Sequence, residues 1–94
     1  MQQLEHYQQI IVPVLKKFNI KRASIFGSIA KGLETNTSDL DLLIEPEAGF
    51  TLFTLIALEN EITHLTKRKI DIVEFGALKP SIKTEVLQSA IAIL

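Results

Sequence analysis

Three short runs of the chain have the residue pattern of β-strands, and stretches with helical periodicity surround them. Ala23–Phe26, apolar but for Ser24, reads as a short strand ending at Gly27. In Asp39–Glu45, Leu40, Leu42 and Ile44 alternate with Asp39, Asp41 and Leu43, and Pro46 and Gly49 end the run. Lys69–Phe75 is rich in β-branched residues, which favour a pleated surface. Apolar strands separated by helices can bury their faces only as a sheet covered by helices, so the expected class is α/β. The residues between the first run and Thr35 are few for a full crossover. The first two strands are therefore expected to be antiparallel, giving a small mixed sheet flanked by helices.

The helices follow from spacing. Leu4, Tyr7, Ile11, Val14 and Phe18 recur three and four apart, with Ile10 and Leu15 filling in. Pro13 interrupts this stripe and is expected to kink or divide the helix, because it has no N–H to donate and crowds the preceding turn. Asn19 is the expected stop. Ser28–Gly32 reads as a helical turn and Glu34–Thr37 as a polar loop. Thr51–Thr66 reads as a second amphipathic helix with Leu52, Leu55, Ile56, Ile62 and Leu65 on its core face. Pro80 opens a short helix to about Ser89, and Ala90–Leu94 reads as a last strand.

The totals restrict function. The 94 residues predict a single domain over 1–94 with a small core. A net charge of −1 lacks the basic excess of a general nucleic-acid binder. With no cysteine, thiol nucleophiles, zinc–thiolate sites and disulfides are excluded, and a cytoplasmic location is favoured. The polar start Met1-Gln2-Gln3-Leu4-Glu5 is unlike a signal peptide. The apolar stretch around Phe50–Leu58 is too short to span a bilayer, so no membrane partner is expected.

Chemistry concentrates in the acids of the strands. Asp39 and Asp41, two apart, point to one face of their strand. Close carboxylates raise each other's pKa unless a cation lies between them. Magnesium suits such a pair, since it takes one or two carboxylates together with substrate phosphates. The plain alternative is two acids on a solvated strand face. Asp71 lies between Ile70 and Ile72, where an acid is costly unless paired or metal-bound. The alternatives for Asp71 are an edge-strand acid that discourages aggregation or a partner for Lys69. Three such acids on adjacent strands could hold two metal ions, with Asp71 placed to accept a proton from an attacking hydroxyl. Upstream, Gly27 lets the backbone approach a ligand closely, and the N–H groups of the helical turn suit phosphate. Ser28 adds a hydroxyl and Lys31 a charge. The plain alternative is a turn with a serine N-cap. His6, His64 and the Lys67–Lys69 run read as solvated, Tyr7 as core. Phe50, Phe53 and Phe75 either pack inside or cover a partner surface.

Together the segments RASIFGSIAKG, SDLDLLIE, KRKIDIVEF and ALKPSIKTEVL resemble the minimal nucleotidyltransferase (MNT) proteins of the DNA polymerase β-like superfamily, from about Phe18 to Leu87. The resemblance implies that Asp39, Asp41 and Asp71 bind two Mg2+ ions and carry catalysis, while Gly27, Ser28 and Lys31 hold the phosphates of ATP. It further implies transfer of AMP to a tyrosine of a HEPN-domain ribonuclease toxin, with this chain acting as the antitoxin and assembling with the toxin. One departure is visible: many members carry arginine where this chain has Ile29 and Lys31. Isoleucine makes no ionic phosphate contact, and lysine lacks the bidentate fork. Two other functions compete. One is a binding module that neutralises a toxin by covering it. The other is nucleotidyl transfer to a small molecule, which the lack of a second, acceptor-binding domain disfavours.

Overall fold

The computed structural model describes residues 2–32 and 39–94, and the side chains of these apart from Gln2, Gln3, Ser28 and Lys31. The expected loop Glu34–Thr37 lies outside the described residues. The elements are α1 (Gln2–Lys17), β1 (Ile20–Phe26), α2 (Gly27–Lys31), β2 (Leu40–Pro46), α3 (Leu52–Thr66), β3 (Ile70–Glu74), a 3-10 turn (Phe75–Ala77), α4 (Pro80–Ser89) and β4 (Ile91–Ala92). The strands form one mixed sheet in the order β3-β2-β1-β4. As expected, β1 runs antiparallel to β2. The longer connection through α3 returns β3 parallel to β2, and β4 closes the other edge antiparallel to β1.

The two faces of the sheet have different fates. On β2, Leu40, Leu42 and Ile44 are fully buried. They join Ile11, Val14 and Leu15 of α1, Ile25 of β1, and Leu58 and Ile62 of α3 in one core cluster. By the strand's alternation, Asp41, Leu43 and Glu45 point to the opposite face. That face carries the 3-10 turn, which packs on β2, and α4, which packs on β1 and α2. None of the residues of α4 is fully buried, so this second layer covers the sheet incompletely.

Four local expectations change. α1 is not divided at Pro13, which is exposed. Its missing N–H leaves the carbonyl of Gln9 without its helical donor on a face open to water, which can supply one instead. β1 begins at Ile20 rather than Ala23. Lys21 and Arg22 read as polar, but in the strand they lie beside Glu45, with which both pair. β4 is shorter than Ala90–Leu94, although the backbone pairing of Ala23 with Ile93 and Leu94 prolongs it.

The core face of α3 is the largest correction. Leu52, Ile56 and Leu65 are 67%, 48% and 44% exposed, whereas Leu58 and Ile62 are fully buried. Apolar residues surround most of this helix, so three-and-four spacing fits more than one stripe. Packing on the sheet selected the stripe through Leu58 and Ile62. The helix ends behave as their residues dictate. Thr51 caps α3 by accepting from the Thr54 amide at 3.2 Å. Asn19, in the left-handed region at φ 60°, stops α1 as expected.

Candidate active site

The sheet register brings the acids together. Phe26 of β1 lies opposite Asp41 of β2, and Asp41 lies opposite Asp71 of β3. The Leu40 amide donates to the Lys69 carbonyl at 2.9 Å, pinning the starts of β2 and β3 side by side. Asp39 stands just before β2, exposed, two residues from Asp41 and hence on the same face. All three acids therefore occupy one end of the incompletely covered face. Asp41 is half-buried and Asp71 exposed on the edge strand.

Electrostatics couples them. The Asp41 carboxyl is pushed above the ordinary carboxylate range, first by burial, then by the charges of Asp71 and Asp39. Mutual repulsion of this kind is what a bound cation relieves. Among the described residues, no three acidic or imidazole side chains are already gathered as a ready-made metal cage. Magnesium does not need one, because it keeps waters and draws further oxygens from substrate phosphates. The donor set, oxygen-only and facing solvent, fits that ion.

Gly27 is tied to the acids more tightly than its sequence position suggests. It opens α2 with φ +73°, in the region that favours glycine. A Cβ built there would stand 2.1 Å from Oδ2 of Asp41. The glycine thus makes room for the carboxylate of β2 as well as keeping the start of α2 bare. Ser28 and Lys31 belong to α2, but their side chains lie outside the described ones. Ile29, the apparent departure, is only 2% exposed and belongs to the core cluster. Its side chain is occupied in packing, so the isoleucine is a core residue here and not a lost phosphate contact.

Several neighbours were not legible beforehand. Beside Asp71, a cleft of about 530 Å3 opens between the sheet and α4, with Phe26, Val73, Leu78, Ile82 and Val86 along it. Arg68, read as part of a solvated run, donates from Nε to the hydroxyl of buried Tyr7 and lies over its ring. Nothing in the spacing of Tyr7 and Arg68, 61 residues apart, could have signalled this. His6 and His64 are exposed, as expected. The three phenylalanines divide: Phe50 packs against the core, Phe75 lies beneath Arg22, and Phe53 is 83% exposed.

Residues 8–94 match the family described as Polymerase beta, Nucleotidyltransferase. The chain belongs to this family. Within it, MJ0435 of Methanocaldococcus jannaschii, provisionally named a protein adenylyltransferase, is 36% identical over 84 residues, covering 89% of this chain and 90% of its own. The protein adenylyltransferase MntA of Thermococcus cleftensis is 29% identical over 76 residues, 81% of this chain and 77% of its own. A solved structure provisionally described as a minimal nucleotidyltransferase superposes with a TM-score of 0.83 at 31% identity, covering 96% of this chain and 92% of that one. The MNT antitoxin fold recurs at 16% identity and a TM-score of 0.73 in a complex with a tri-AMPylated Shewanella oneidensis HEPN toxin, over 100% of this chain and 72% of that one. The chain is thus an MNT-type nucleotidyltransferase. Among its described residues, no helix is long and apolar enough to cross a membrane.

Proposed function

We propose that this nucleotidyltransferase moves AMP from ATP to a tyrosine of a HEPN-domain ribonuclease, acting in the cytoplasm as the antitoxin of that partner. The observation that carries the reading is the placement of Asp41, in register with Asp71, in repulsion with Asp71 and Asp39, and against the bare Cα of Gly27. Without a cation such an arrangement stores unfavourable charge. It has a use when phosphates and cations enter together. The relatives support the protein acceptor, because they are named protein adenylyltransferases. Toxin–antitoxin complexes of the same fold, one with AMP-PNP and one with a tri-AMPylated HEPN toxin, support the donor and the partner.

In this reading the bare start of α2 at Gly27 and Ser28 takes the triphosphate, with Lys31 adding charge. Asp39, Asp41 and Asp71 would hold two Mg2+ ions, which would neutralise the phosphates and lower the pKa of the attacking hydroxyl. The phenol oxygen of the acceptor forms a bond to the α-phosphorus as the bond from that phosphorus to the bridging oxygen of the β-phosphate breaks. Pyrophosphate leaves, and the phenol proton passes to the carboxylate of Asp71.

The test is transfer of labelled AMP from Mg-ATP to a HEPN protein encoded beside this chain. Wild type should label it, and the intact mass of the acceptor should rise by one AMP or more. The combined variant Asp39→Asn with Asp41→Asn should lose at least ~100-fold in rate. Equal labelling by that variant would sink the reading.

A further inference from the structure

The cleft beside Asp71 is mostly apolar and open, and apart from Asp71 its lining has no part in the site proposed above. Phe26, Val73, Leu78, Ile82 and Val86 supply most of its walls, Lys79 and Ser81 add polar groups where α4 begins, and of the three acids only Asp71 lines it. Its volume of about 530 Å3 falls within the range of small-ligand sites. On α4, Ile82 is 44% exposed and Val86 only half-buried, so the roof of the cleft is an apolar wall that the chain itself does not fill.

The order of the strands says which reactant comes to this side. Gly27 follows β1, Asp41 sits on β2 and Asp71 on β3, with β2 between the other two. Phosphoryl transfer requires the attacking and leaving oxygens to be roughly in line through the α-phosphorus. The cleft runs from Phe26, the residue before Gly27, to Asp71, so with the outer phosphates drawn toward Gly27 it is the Asp71 end that meets the attacking group. A group reaching Asp71 along the cleft must be apolar in its body and hydroxylated at its tip. Tyrosine is that side chain, whereas serine and threonine would leave the apolar walls unfilled.

We infer that the cleft between β3 and α4 seats the aromatic ring of the acceptor, with the ring against Val73, Ile82 and Val86 and its hydroxyl at Asp71. This rests on the proposed tyrosine acceptor and adds the subsite that selects it. Val73, Ile82 and Val86 are therefore specificity-determining residues for the acceptor and do not contact the nucleotide.

The experiment is methyl NMR on the full chain with labelled Ile, Leu and Val, titrated with N-acetyl-tyrosinamide and, separately, N-acetyl-serinamide. The tyrosine probe should shift the methyls of Val73, Ile82 and Val86 and saturate with a Kd in the millimolar range, about that of an isolated side chain. The serine probe should not. Ile82→Glu should weaken the tyrosine probe at least tenfold, and Val86→Glu gives a second variant on an exposed helix if the first misfolds. Adding Mg2+ with AMP-PNP should leave the tyrosine Kd unchanged or tighter. No shift at these methyls would overturn the inference. So would competition by the nucleotide, which would mean that the cleft holds the adenine. Because binding is read without turnover, failure of AMP transfer and failure of the cleft are separate results.

Discussion

Gly27 and Asp41 make one unit although fourteen residues separate them in the numbering. The carboxylate occupies the space that any larger residue at 27 would need. Gly27→Ala should therefore move Asp41 and reduce AMP transfer by ~100-fold or more, the scale on which small misplacements in such sites act. It should also cost at least about 1 kcal/mol of stability, since alanine is strained at positive φ. Circular dichroism would verify the fold while the transfer assay reads the loss. Asp41 makes the reverse prediction. A carboxyl whose folded pKa is raised binds its proton more tightly in the native state, so its ionisation destabilises the fold. The penalty is absent in acid, below the ordinary carboxylate range, and grows as pH rises through the raised folded pKa. Asp41→Asn should raise the melting temperature at pH 7, by roughly 4–8 °C for each 1 kcal/mol relieved, and the gain should vanish in scans near pH 3. An inactive, more stable variant is the expected signature of a site that holds charge for function. Of these residues, the Asp39–Asp41 pair and Asp71 were readable from alternation and flanking apolar residues. The contact between Gly27 and Asp41 was not, because it depends on how closely α2 returns over β2.

At the scale of elements, α3 separates pattern from packing. Leu58→Ala should cost about 2–5 kcal/mol, as for other fully buried leucines. Leu52→Ala and Phe53→Ala should change stability by no more than about 0.5 kcal/mol, since both side chains stand 67% and 83% in solvent. Urea melts of the three variants check both statements, and equal losses would mean that the stripe is misassigned. α1 shows the opposite case. Its stripe through Tyr7, Ile11, Val14 and Leu15 is the buried one because Glu5, Gln8, Gln9 and Lys16 make the opposite side polar. β3 was legible as a strand from its branched residues. Its position at the sheet edge, which exposes Asp71, came only from the strand order.

For the whole molecule, coupling between ligand and fold gives a further prediction. A nucleotide with magnesium that binds the native state alone adds stability in proportion to the logarithm of its concentration, about 2.7 kcal/mol at one hundred times Kd. Mg2+ with AMP-PNP should raise the melting temperature of wild type progressively, and the rise should disappear in Asp39→Asn with Asp41→Asn. AMP-PNP without divalent cation should have a much smaller effect, because the triphosphate then meets three unscreened carboxylates. A rise of the same size with and without magnesium would contradict the assigned metal role.

Local order along the chain settled what each segment is. Side-chain period separates helix from strand, and the modest length of the connection after β1 favours an antiparallel partner. The D-x-D spacing alone puts Asp39 and Asp41 on one face. What the chain order could not settle was which of several apolar faces α3 would bury, that Asp71 would stand in register with Asp41, and that Asp41 would rest on Gly27. It also left unsettled that α4 would stop short of closing the sheet and leave a cleft at Asp71. Those outcomes depend on distances between residues far apart in sequence, and these are fixed only when the whole sheet finds its register and the helices compete to cover it.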